Sequence, residues 1–353
     1  MNKGKAWRIG VVGATGYVGA ELLRILAGHR FFEVTHLVSK SYAGKRLSEV
    51  YPAFRSVNDL VLHELDADKL AEHCDLVVTA LPHGVSSVHV PELLDRGLKV
   101  LDHSGDFRYR DLAVYEKAYK LPHPRPDLLA EAVYGLPEIY REQLRETRLT
   151  ANPGCYPTCS ILALMPLLRA GLIRTDGIII DAVSGVTGAG RKADLAFSFC
   201  EVEESFKAYG VVGHRHTSEI EQECALLAGL ETPPAITFTP HLAPIRRGML
   251  ATTYADLLPG STLAEVRSLY EQAYADEPFV RLLPDGQTPE TRHVAYTNFI
   301  DLALFHDART GKLKILSAID NLGKGAAAQA VQALNLMAGI SETEGLGAAG
   351  CMI

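Results

Sequence analysis

The residues of this sequence best suited to nucleophilic chemistry lie in the segment ANPGCYPTCS, Ala151–Ser160. Pro153 and Gly154 predict a turn, and Cys155 follows it directly, ahead of the apolar helical run Ser160–Leu168. A thiol at a helix N-terminus faces unpaired N–H groups and the positive end of the helix dipole, which favour the thiolate. We therefore predict that Cys155 is a nucleophile. The alternative is a buried, inert cysteine that follows a turn.

An acid or base for this thiol is predicted in HRHTSE, where His214, His216 and Glu219 precede or enter the helical stretch Ser218–Ala228. If the two histidines lie on a strand, their side chains share a face. Two imidazoles and a carboxylate could also bind a metal, but the spacing differs from helical HExxH. We interpret the group as the acid/base partner of Cys155 and expect no metal. A metal site and a purely structural histidine pair are the alternatives.

A glycine-rich loop near the N-terminus predicts a dinucleotide site. The strand-like segment Trp7–Val12 leads into GATGYVG and then into the helical pattern Ala20–Leu26. In this order, strand, glycine turn and helix let the backbone approach a pyrophosphate. The spacing is GxxGxxG and not GxGxxG, so a glycine turn without a ligand is the alternative. The loop residues expected to contact the cofactor are Gly13, Thr15, Gly16, Tyr17, Val18 and Gly19.

The end of the second predicted strand, Phe32–Val38, indicates which dinucleotide binds. Ser39 and Lys40 stand where an NAD site usually has an acidic residue for the ribose hydroxyls, and Lys45 and Arg46 follow. A hydroxyl and positive charges suit a 2′-phosphate, so we expect NADP. The alternative is a set of solvated loop charges.

Later strand ends and a second glycine-rich loop extend the predicted cofactor site. The apolar segment Asp75–Ala80 ends shortly before LPHG, and such strand ends line the cofactor crevice of open α/β sheets. The loop Ser184–Arg191 is expected to cover the nicotinamide and the acyl group. Further cofactor contacts are expected from Pro82, His83, Ser184, Gly185, Gly188 and Asn321.

Three residues are expected to hold an anionic substrate: Arg108 in DHSGDFR, Asn152 near the cysteine, and Arg246 in HLAPIRRGM. A guanidinium can pair with a carboxylate or phosphate through two parallel hydrogen bonds. For DHSGDFR, a capped loop with an internal Asp–Arg pair is the alternative to a binding loop.

Composition limits the function classes. The chain has 353 residues, 47% of them hydrophobic, which predicts two domains. A formal net charge of −7 makes nucleic acid an unlikely partner on electrostatic grounds. Six cysteines form neither a disulfide framework nor a paired CxxC zinc pattern, so a reducing cytoplasm is expected. No targeting peptide or membrane span is expected.

The periodicity predicts an α/β fold: a Rossmann-type dinucleotide-binding domain, followed by an α+β catalytic domain with a mixed sheet. The apolar helix predicted over Gly325–Met337 is expected to return to the first domain. We therefore predict a discontinuous NADP-binding domain, 1–150 and 325–353, and a catalytic, substrate and oligomerisation domain, 151–324. Residues 109–148 are interpreted as a linking region.

The motifs together resemble the N-acetyl-gamma-glutamyl-phosphate reductase family of arginine biosynthesis, within the wider aspartate-semialdehyde dehydrogenase family. The similar segments span nearly the whole chain: GATGYVG, LPHG, DFR, NPGCYPT, GVTGAGR, HRHTSEIEQ and DNLGKGAAAQAVQ. Two departures are small, since DHSGDFR has Gly105 directly before Asp106 where the family more often has Ala, and GAAAQ lacks a Gly before Gln. Neither changes a residue with predicted chemistry.

The resemblance implies an enzyme in which Cys155 is the nucleophile, the histidine pair supplies the acid/base, NADPH donates hydride and the chain forms a homo-oligomer. The expected reaction converts N-acetyl-glutamyl phosphate through a cysteine thioester to the semialdehyde and phosphate. One rival is the reductase of carrier-bound aminoadipyl phosphate in lysine biosynthesis. The acidic Glu201, Glu203 and Glu204 would repel an acidic carrier. Another rival is a non-catalytic NADP-sensing regulator, which would need neither the thiol nor HxHxxE.

Overall fold

The computed structural model describes residues 6–347 and 349 of the chain. These residues form two compact units, divided after Pro153 and again after Gly325. The first unit holds the residues before Gly154 together with those from Ala326 to 347, and the second holds Gly154–Gly325. Cys351 and the remaining end of the predicted 325–353 segment lie outside the described residues.

The first unit is built on a parallel seven-stranded sheet. Its strands are β1 (Trp7–Val12), β2 (Phe32–Val38), β3 (Leu62–His63), β4 (Leu76–Thr79), β5 (Lys99–Asp102), β6 (Val133–Tyr134) and β7 (Leu149–Ala151). The sheet order is β3-β2-β1-β4-β5-β7-β6. The order changes direction between β1 and β4, and open α/β sheets bind ligands at such a point, beyond the carboxyl ends of the strands.

The bounds predicted for the first two strands, Trp7–Val12 and Phe32–Val38, are confirmed. Both are short, largely apolar runs, as parallel strands covered on both faces require.

The helices of this part are α1 (Tyr17–Leu26), α2 (Leu47–Val50), α3 (Ala67–His73), α4 (Ser86–Asp95), α5 (Leu112–Tyr119), α6 (Asp127–Glu131) and α7 (Pro137–Glu146). The interpretation of residues 109–148 as a linking region is wrong, because they form α5, α6, α7 and strand β6 of the first unit. Tyr, Pro and charged residues are frequent in this stretch and hid its elements from the sequence pattern.

The second unit has a mixed seven-stranded sheet, in the order β12-β13-β14-β11-β8-β10-β9. Its strands are β8 (Ile179–Gly185), β9 (Lys207–Ala208), β10 (Thr237–Ala243), β11 (Met249–Asp256), β12 (Val280–Leu282), β13 (Ile300–Asp307) and β14 (Lys312–Ile319). Parallel pairs join β8 to β10 and β12 to β13, and the remaining pairs are antiparallel. The predicted combination of a Rossmann-type domain with a mixed-sheet domain is therefore confirmed.

The helices of the second unit are α8 (Cys155–Ala170), α9 (Phe199–Val202), α10 (Arg215–Ala228), α11 (Leu263–Ala273) and α12 (Thr291–Val294). Helix α8 is buried from Tyr156 to Leu168 and packs against β11, β14 and α10. A helix that is apolar all round must be covered in this way. Its burial fixes the position of its first residue, Cys155.

One more helix, α13 (Ala328–Met337), follows a π-helical turn at Gly323–Ala327 and belongs to the first unit. Every residue of α13 is buried. No helix in the described part of the chain is long and apolar enough to cross a membrane.

Candidate active site

Cys155 is the first residue of α8, and Gly154 caps the helix. The helix therefore begins earlier than the predicted run Ser160–Leu168, and its first intrahelical bond joins the Thr158 N–H to the Gly154 carbonyl over 2.9 Å. Cys155 is half-buried, whereas Cys159, one turn later, is fully buried beside Ser317. Burial raises the pKa of Cys159 to about 12, so this second thiol of the segment is inert at neutral pH.

The His216 imidazole lies against the backbone of Gly154, next to the cysteine. A Cβ atom on Gly154 would stand 2.5 Å from His216 Nε2, so only glycine leaves room for the ring. Gly325 also approaches the cysteine closely, because a Cβ on Gly325 would stand 2.8 Å from the Cys155 Cβ. The His216 ring and the backbone of Gly325 therefore both lie close to the residue that carries the thiol.

The two histidines lie at the start of a helix and not on a strand. His214 is the N-cap of α10, and His216 lies in the first turn of that helix. The His214 Nδ1 accepts a hydrogen bond from the His216 N–H over 3.1 Å. A capping side chain turns back onto the helix terminus, so the two rings do not share a face as they would on a strand.

His214 is enclosed by aromatic rings. Its ring centroid lies 5.8 Å from that of Tyr156, 5.6 Å from that of Tyr209 and 5.4 Å from that of Phe238. Burial lowers the pKa of His214 to about 4, and the charge of Arg215 adds to the effect. His214 is therefore neutral near pH 7, which suits a capping acceptor and not a proton donor.

Glu219 is fully buried, and its carboxylate accepts a hydrogen bond from the Gly154 N–H over 2.9 Å. This bond joins α10 to the cap of α8, so the helix that carries His216 is fixed to the turn that carries Cys155. The Glu219 carboxylate therefore positions the turn beside the thiol through its bond to Gly154.

A cavity of about 360 Å³ opens beside Cys155 within the second unit. His216 lines it, and so do Ser184, Gly185 and Gly188 of the second glycine-rich loop. The remaining lining residues are Tyr156, Ala189, Lys192, Ala196, Phe197, Lys207, Tyr209, Arg215 and Leu242. The structure thus brings the predicted nucleophile, one predicted histidine and the predicted loop to a single cavity.

Three cations of this cavity, Lys192, Lys207 and Arg215, were missed by the sequence analysis. Lys207 lies on the short strand β9, which pairs with β10. Among the described residues Lys207 has no ion pair. Its one sequence signal was a lysine within an otherwise acidic segment, FCEVEESFK.

Asn321 and Arg246 hold the loop around the cavity. The Asn321 side chain accepts from the Gly248 N–H at 2.8 Å and donates to Thr187 Oγ1 at 2.9 Å. The Arg246 carbonyl accepts hydrogen bonds from the Thr187 N–H and hydroxyl, while its side chain is exposed. The neighbouring Arg247 forms an ion pair with buried Asp320 at 2.6 Å.

In the first unit, the loop GATGYVG forms a tight turn between β1 and α1. A Cβ on Gly13 would lie 2.4 Å from the Ala80 carbonyl oxygen, and one on Gly19 would lie 2.5 Å from the Gly13 oxygen. Gly16, the cap of α1, has only the Gly13 oxygen near its Cβ position, at 3.4 Å. Gly13 and Gly19 are thus required by the fold, whereas Gly16 leaves an open cradle at a helix N-terminus, which fits a dinucleotide phosphate.

Ser39 is buried at the end of β2 and shares a hydrogen bond of 2.8 Å with the Thr15 hydroxyl. This bond joins the glycine-rich loop to β2, the strand whose end was expected to bind the ribose 2′-phosphate. Lys40 beside it is exposed. Tyr17 and Val18 begin α1, with Tyr17 exposed.

The polar groups that follow β4 and β5 form hydrogen bonds with other residues of the first unit. The Asp106 carboxylate accepts from the N–H groups of Gly84 and Ser87, each at 2.9 Å, and so caps the start of α4. His83 accepts from the Gly105 N–H at 2.8 Å, while Pro82 before it is exposed. These bonds make DHSGDFR a loop that caps α4, and the binding role expected for this segment stays a prediction.

The Arg108 guanidinium is buried and donates to the carbonyls of Asn152 and His103, each at 2.7 Å. Asn152 is fully buried and donates to the Ala326 carbonyl at 3.3 Å. These contacts give both residues a structural role, and the substrate contact expected from the sequence stays a prediction. No group of three or more metal-ligating side chains occurs among residues 6–347 and 349.

Two family profiles match the chain. Residues 8–147 match the semialdehyde dehydrogenase NAD binding domain, and residues 155–321 match the semialdehyde dehydrogenase dimerisation domain. The two matches together cover most of both units. They support a nicotinamide dinucleotide cofactor for the first unit and an oligomeric assembly for the second.

Relatives named N-acetyl-gamma-glutamyl-phosphate reductase are similar along nearly their whole length. The protein from Acetivibrio thermocellus is 52% identical over 96% of this chain and 97% of its own length. The protein from Heliobacterium modesticaldum is 51% identical over 97% of this chain and 99% of its own.

Solved structures of aspartate semialdehyde dehydrogenases share the fold. The Vibrio cholerae enzyme II, complexed with ASA, has a TM-score of 0.72 at 17% identity, covering 95% of this chain and 99% of its own. The Candida albicans enzyme, solved with NADP, has a TM-score of 0.68 at 16% identity, covering 94% and 100%.

Proposed function

Because the chain belongs to the N-acetyl-gamma-glutamyl-phosphate reductase family of semialdehyde dehydrogenases, we propose that it reduces N-acetyl-L-glutamyl 5-phosphate to N-acetyl-L-glutamate 5-semialdehyde and phosphate, in arginine biosynthesis. One observation carries the proposal. A half-buried thiol, Cys155, lies at the N-terminus of a buried helix and shares a cavity with His216 and three cations.

The first step is a nucleophilic attack. The Cys155 thiolate forms a bond to the acyl carbon of the mixed anhydride, and the bond from that carbon to the phosphate oxygen breaks. Phosphate leaves with the electron pair, and an acyl thioester remains on Cys155. A helix N-terminus favours the thiolate required for this attack.

His216 is the proposed acid/base. Its ring lies against Gly154, beside the nucleophile, and it lines the same cavity, whereas His214 is enclosed by aromatic rings. A protonated imidazole can donate a proton to the oxygen that becomes negative when the thioester carbonyl is reduced. His216 then takes back the hydroxyl proton of the thiohemiacetal as the bond between carbon and sulfur breaks, which releases the semialdehyde and restores the thiolate.

NADPH is the proposed cofactor, and when bound it supplies the hydride for the thioester carbon. The cradle at Gly16 would hold the pyrophosphate at the N-terminus of α1. Ser39 and Lys40 would hold the 2′-phosphate, since the end of β2 offers a hydroxyl and an ammonium there and no carboxylate. In the second unit, Ser184, Gly185 and Gly188 would border the nicotinamide.

Lys192, Lys207 and Arg215 are the proposed anchors of the anionic substrate. An N-acylated glutamyl phosphate carries a carboxylate and a phosphate, and three cations at one cavity match that charge. Arg246 supports the loop through its carbonyl, and Arg108 is engaged with backbone carbonyls. The cations of the second unit are therefore better placed for the substrate.

We also propose that the chain acts as a homo-oligomer, assembled through its second unit, which matches a dimerisation domain. In this assignment the first unit binds NADP and the second carries catalysis. Light scattering should give a mass that is a multiple of the 38.4 kDa chain. A mass equal to one chain at working concentration would contradict the assembly.

The reaction is best tested in the oxidative direction, with NADP, phosphate and a semialdehyde. N-acetyl-L-glutamate 5-semialdehyde should be oxidised in a phosphate-dependent reaction that is lost in Cys155→Ser. Prior dialysis against a chelator should leave the rate unchanged. The proposed enzymatic activity would be refuted if no turnover is seen, or if Cys155→Ser retains the biological activity of the protein. Either result would favour an NADP sensor. Preference for an aminoadipate semialdehyde would favour the lysine-pathway rival.

A further inference from the structure

A buried ion pair in the second unit joins three separate turns of the chain. The Asp320 carboxylate is fully buried and pairs with the Arg247 guanidinium at 2.6 Å. The same carboxylate accepts hydrogen bonds from the Leu322 N–H at 2.9 Å and from the Tyr296 N–H. Bonds of this kind fix the segments that carry the donors relative to one another, because a bond to the carboxylate is lost when its segment moves.

Tyr296 shows that this ion pair holds a neighbouring turn in an unfavourable conformation. Its φ of 64° lies in the left-handed region, which a tyrosine rarely adopts. The Arg247 guanidinium carbon lies 3.9 Å from the centroid of the Tyr296 ring, and the Asp320 carboxylate binds the N–H of the same tyrosine. Such conformations persist only where several contacts hold them, and they are frequent near functional sites.

On one side, the ion pair is connected to the thiol by a short turn. The Asp320 carbonyl accepts the Gly325 N–H at 2.9 Å. A Cβ on Gly325 would stand 2.8 Å from the Cys155 Cβ and 3.1 Å from the Asp320 carbonyl oxygen, so this glycine packs between the two residues. The position of Asp320 therefore determines how closely the turn approaches Cys155.

On the other side, the ion pair is connected to the loop that borders the cavity. A Cβ on Gly185 would stand 2.8 Å from the Arg247 backbone nitrogen, and the Gly185 N–H donates to the Gly248 carbonyl at 2.9 Å. The Asn321 side chain accepts the Gly248 N–H at 2.8 Å. Since Gly185 lines the cavity beside the thiol, the backbone at Arg247 fixes one wall of that cavity.

We infer that the Asp320–Arg247 ion pair positions Cys155 against the cavity, which makes both members positioning residues for the reaction. The ion pair joins the turn that packs on the nucleophile to the loop that borders the substrate. A buried ion pair often adds little stability over apolar residues of similar size, so the geometry that it imposes is the better account of its presence. The inference rests on the proposed function, because it concerns how the same site is held in its reactive geometry.

Arg247→Met tests the kinetic consequence, because it removes the guanidinium and keeps an unbranched side chain. We expect kcat to fall by about 10²-fold, since a displacement of about 1 Å at a reactive group can have that effect. The KM for the semialdehyde should change by less than about threefold, because the cations that line the cavity are unaltered. Each rate is measured on the monodisperse fraction from gel filtration, whose folding is checked by circular dichroism.

A double variant and a matched control separate positioning from folding. Arg247→Met combined with Asp320→Asn removes both buried charges, so no unpaired charge remains to unfold the protein, and kcat should stay as low as in the single variant. Arg281→Met is the control. Arg281 pairs with buried Asp301 at 2.5 Å, and its guanidinium carbon lies 4.4 Å from the Phe299 ring centroid, but it is not among the described residues of the cavity lining. Its loss should change kcat by less than about threefold.

Hydrogen exchange tests the same positioning without a substrate. In Arg247→Met, the peptides that contain the Gly185 and Gly325 N–H groups should exchange about tenfold faster or more, because both groups are bonded within the segments that the ion pair holds and exchange through local opening. Arg281→Met should leave the exchange of both peptides unchanged.

The outcomes separate this inference from the proposed function. If the unaltered protein does not oxidise N-acetyl-L-glutamate 5-semialdehyde, the proposed function fails, and the exchange rates decide whether the ion pair fixes the two segments. If the semialdehyde is oxidised and the double variant recovers the kcat of the unaltered protein, the ion pair only neutralises charge and the positioning role is wrong. Unchanged exchange of both peptides in Arg247→Met would also overturn the inference.

Discussion

At the scale of single residues, the cysteines differ sharply in environment. Cys74, Cys159 and Cys224 are buried, and burial raises the pKa of each thiol. Cys200 is exposed, and Cys155 is half-buried at the N-terminus of α8. Among the cysteines that the structure describes, exposure alone would make Cys200 the most reactive, whereas the helix terminus favours Cys155.

We therefore expect iodoacetamide to modify Cys155 faster than Cys200 near neutral pH, with loss of activity in step with that modification. Peptide mass spectrometry against time gives both rates, and a Cys200→Ser protein removes the exposed thiol as a control. Inactivation that follows the labelling of Cys200 would rule out Cys155 as the nucleophile.

The two histidines give a second test at this scale. His216→Asn should lower kcat by about 10²-fold or more, the effect typical of losing one positioned proton donor. His214→Asn keeps an oxygen that can cap α10, so kcat should fall far less. Steady-state kinetics on both variants measures the difference. A larger loss of kcat in His214→Asn would reverse the assignment.

At the scale of secondary structure elements, the turn before α8 sets the distance between the imidazole and the thiol. Gly154→Ala would place a Cβ 2.5 Å from His216 Nε2, so the ring must move. We expect kcat to fall by about 10²-fold, because the displaced ring loses its catalytic geometry. Gly28→Ala is the control, since its Cβ would meet no atom within 4 Å. Equal kcat in the two variants would show that His216 does not act from this position.

The end of β2 offers a test of cofactor choice. Lys40→Glu should raise the KM for NADPH much more than that for NADH, because a carboxylate would repel the 2′-phosphate. Lys117→Glu makes the same charge change at an exposed residue of α5 and should leave the ratio unchanged. Equal efficiency with NADPH and NADH in the unaltered protein would contradict the proposed preference.

At the scale of the whole molecule, histidines that are buried or half-buried couple folding to pH. Burial lowers the pKa of His36 and of His214 to about 4, and that of His103 to about 3. The charges of His63 and His73, whose rings stack on His36, lower the pKa of His36 further. Near pH 7 both folded and unfolded chains hold these rings neutral.

As the pH falls from 6.5 towards 4, the unfolded chain binds protons that the folded chain does not, so stability should decrease. The slope is about 1.4 kcal/mol per pH unit for each such proton at most. His214→Asn should lower this slope by about the contribution of one proton. Urea unfolding measures the free energy of unfolding between pH 4.5 and 7, which is roughly the interval between the folded and unfolded pKa values. An unchanged slope would show that His214 is not buried as a neutral ring.

The sequence by itself determined the fold class, the bounds of β1 and β2, and the family. These follow from local signals: apolar runs, glycine turns and motifs whose residues are close in the chain. It also located Cys155 at a helix start, because a turn followed by an apolar run is a local pattern. It missed the elements in residues 109–148, where β6 and α6 are short and Tyr, Pro and charged residues are frequent.

Only the tertiary structure decided which groups meet at the cavity. Spacing could not separate His214 from His216, because their difference depends on a cap and on the glycine opposite the second ring. Nor could it select Lys192 and Lys207 from the 35 lysines and arginines, because their convergence depends on strand pairing and turns far from Cys155 in sequence. A local pattern specifies what a segment forms, whereas packing specifies which side of it faces the substrate.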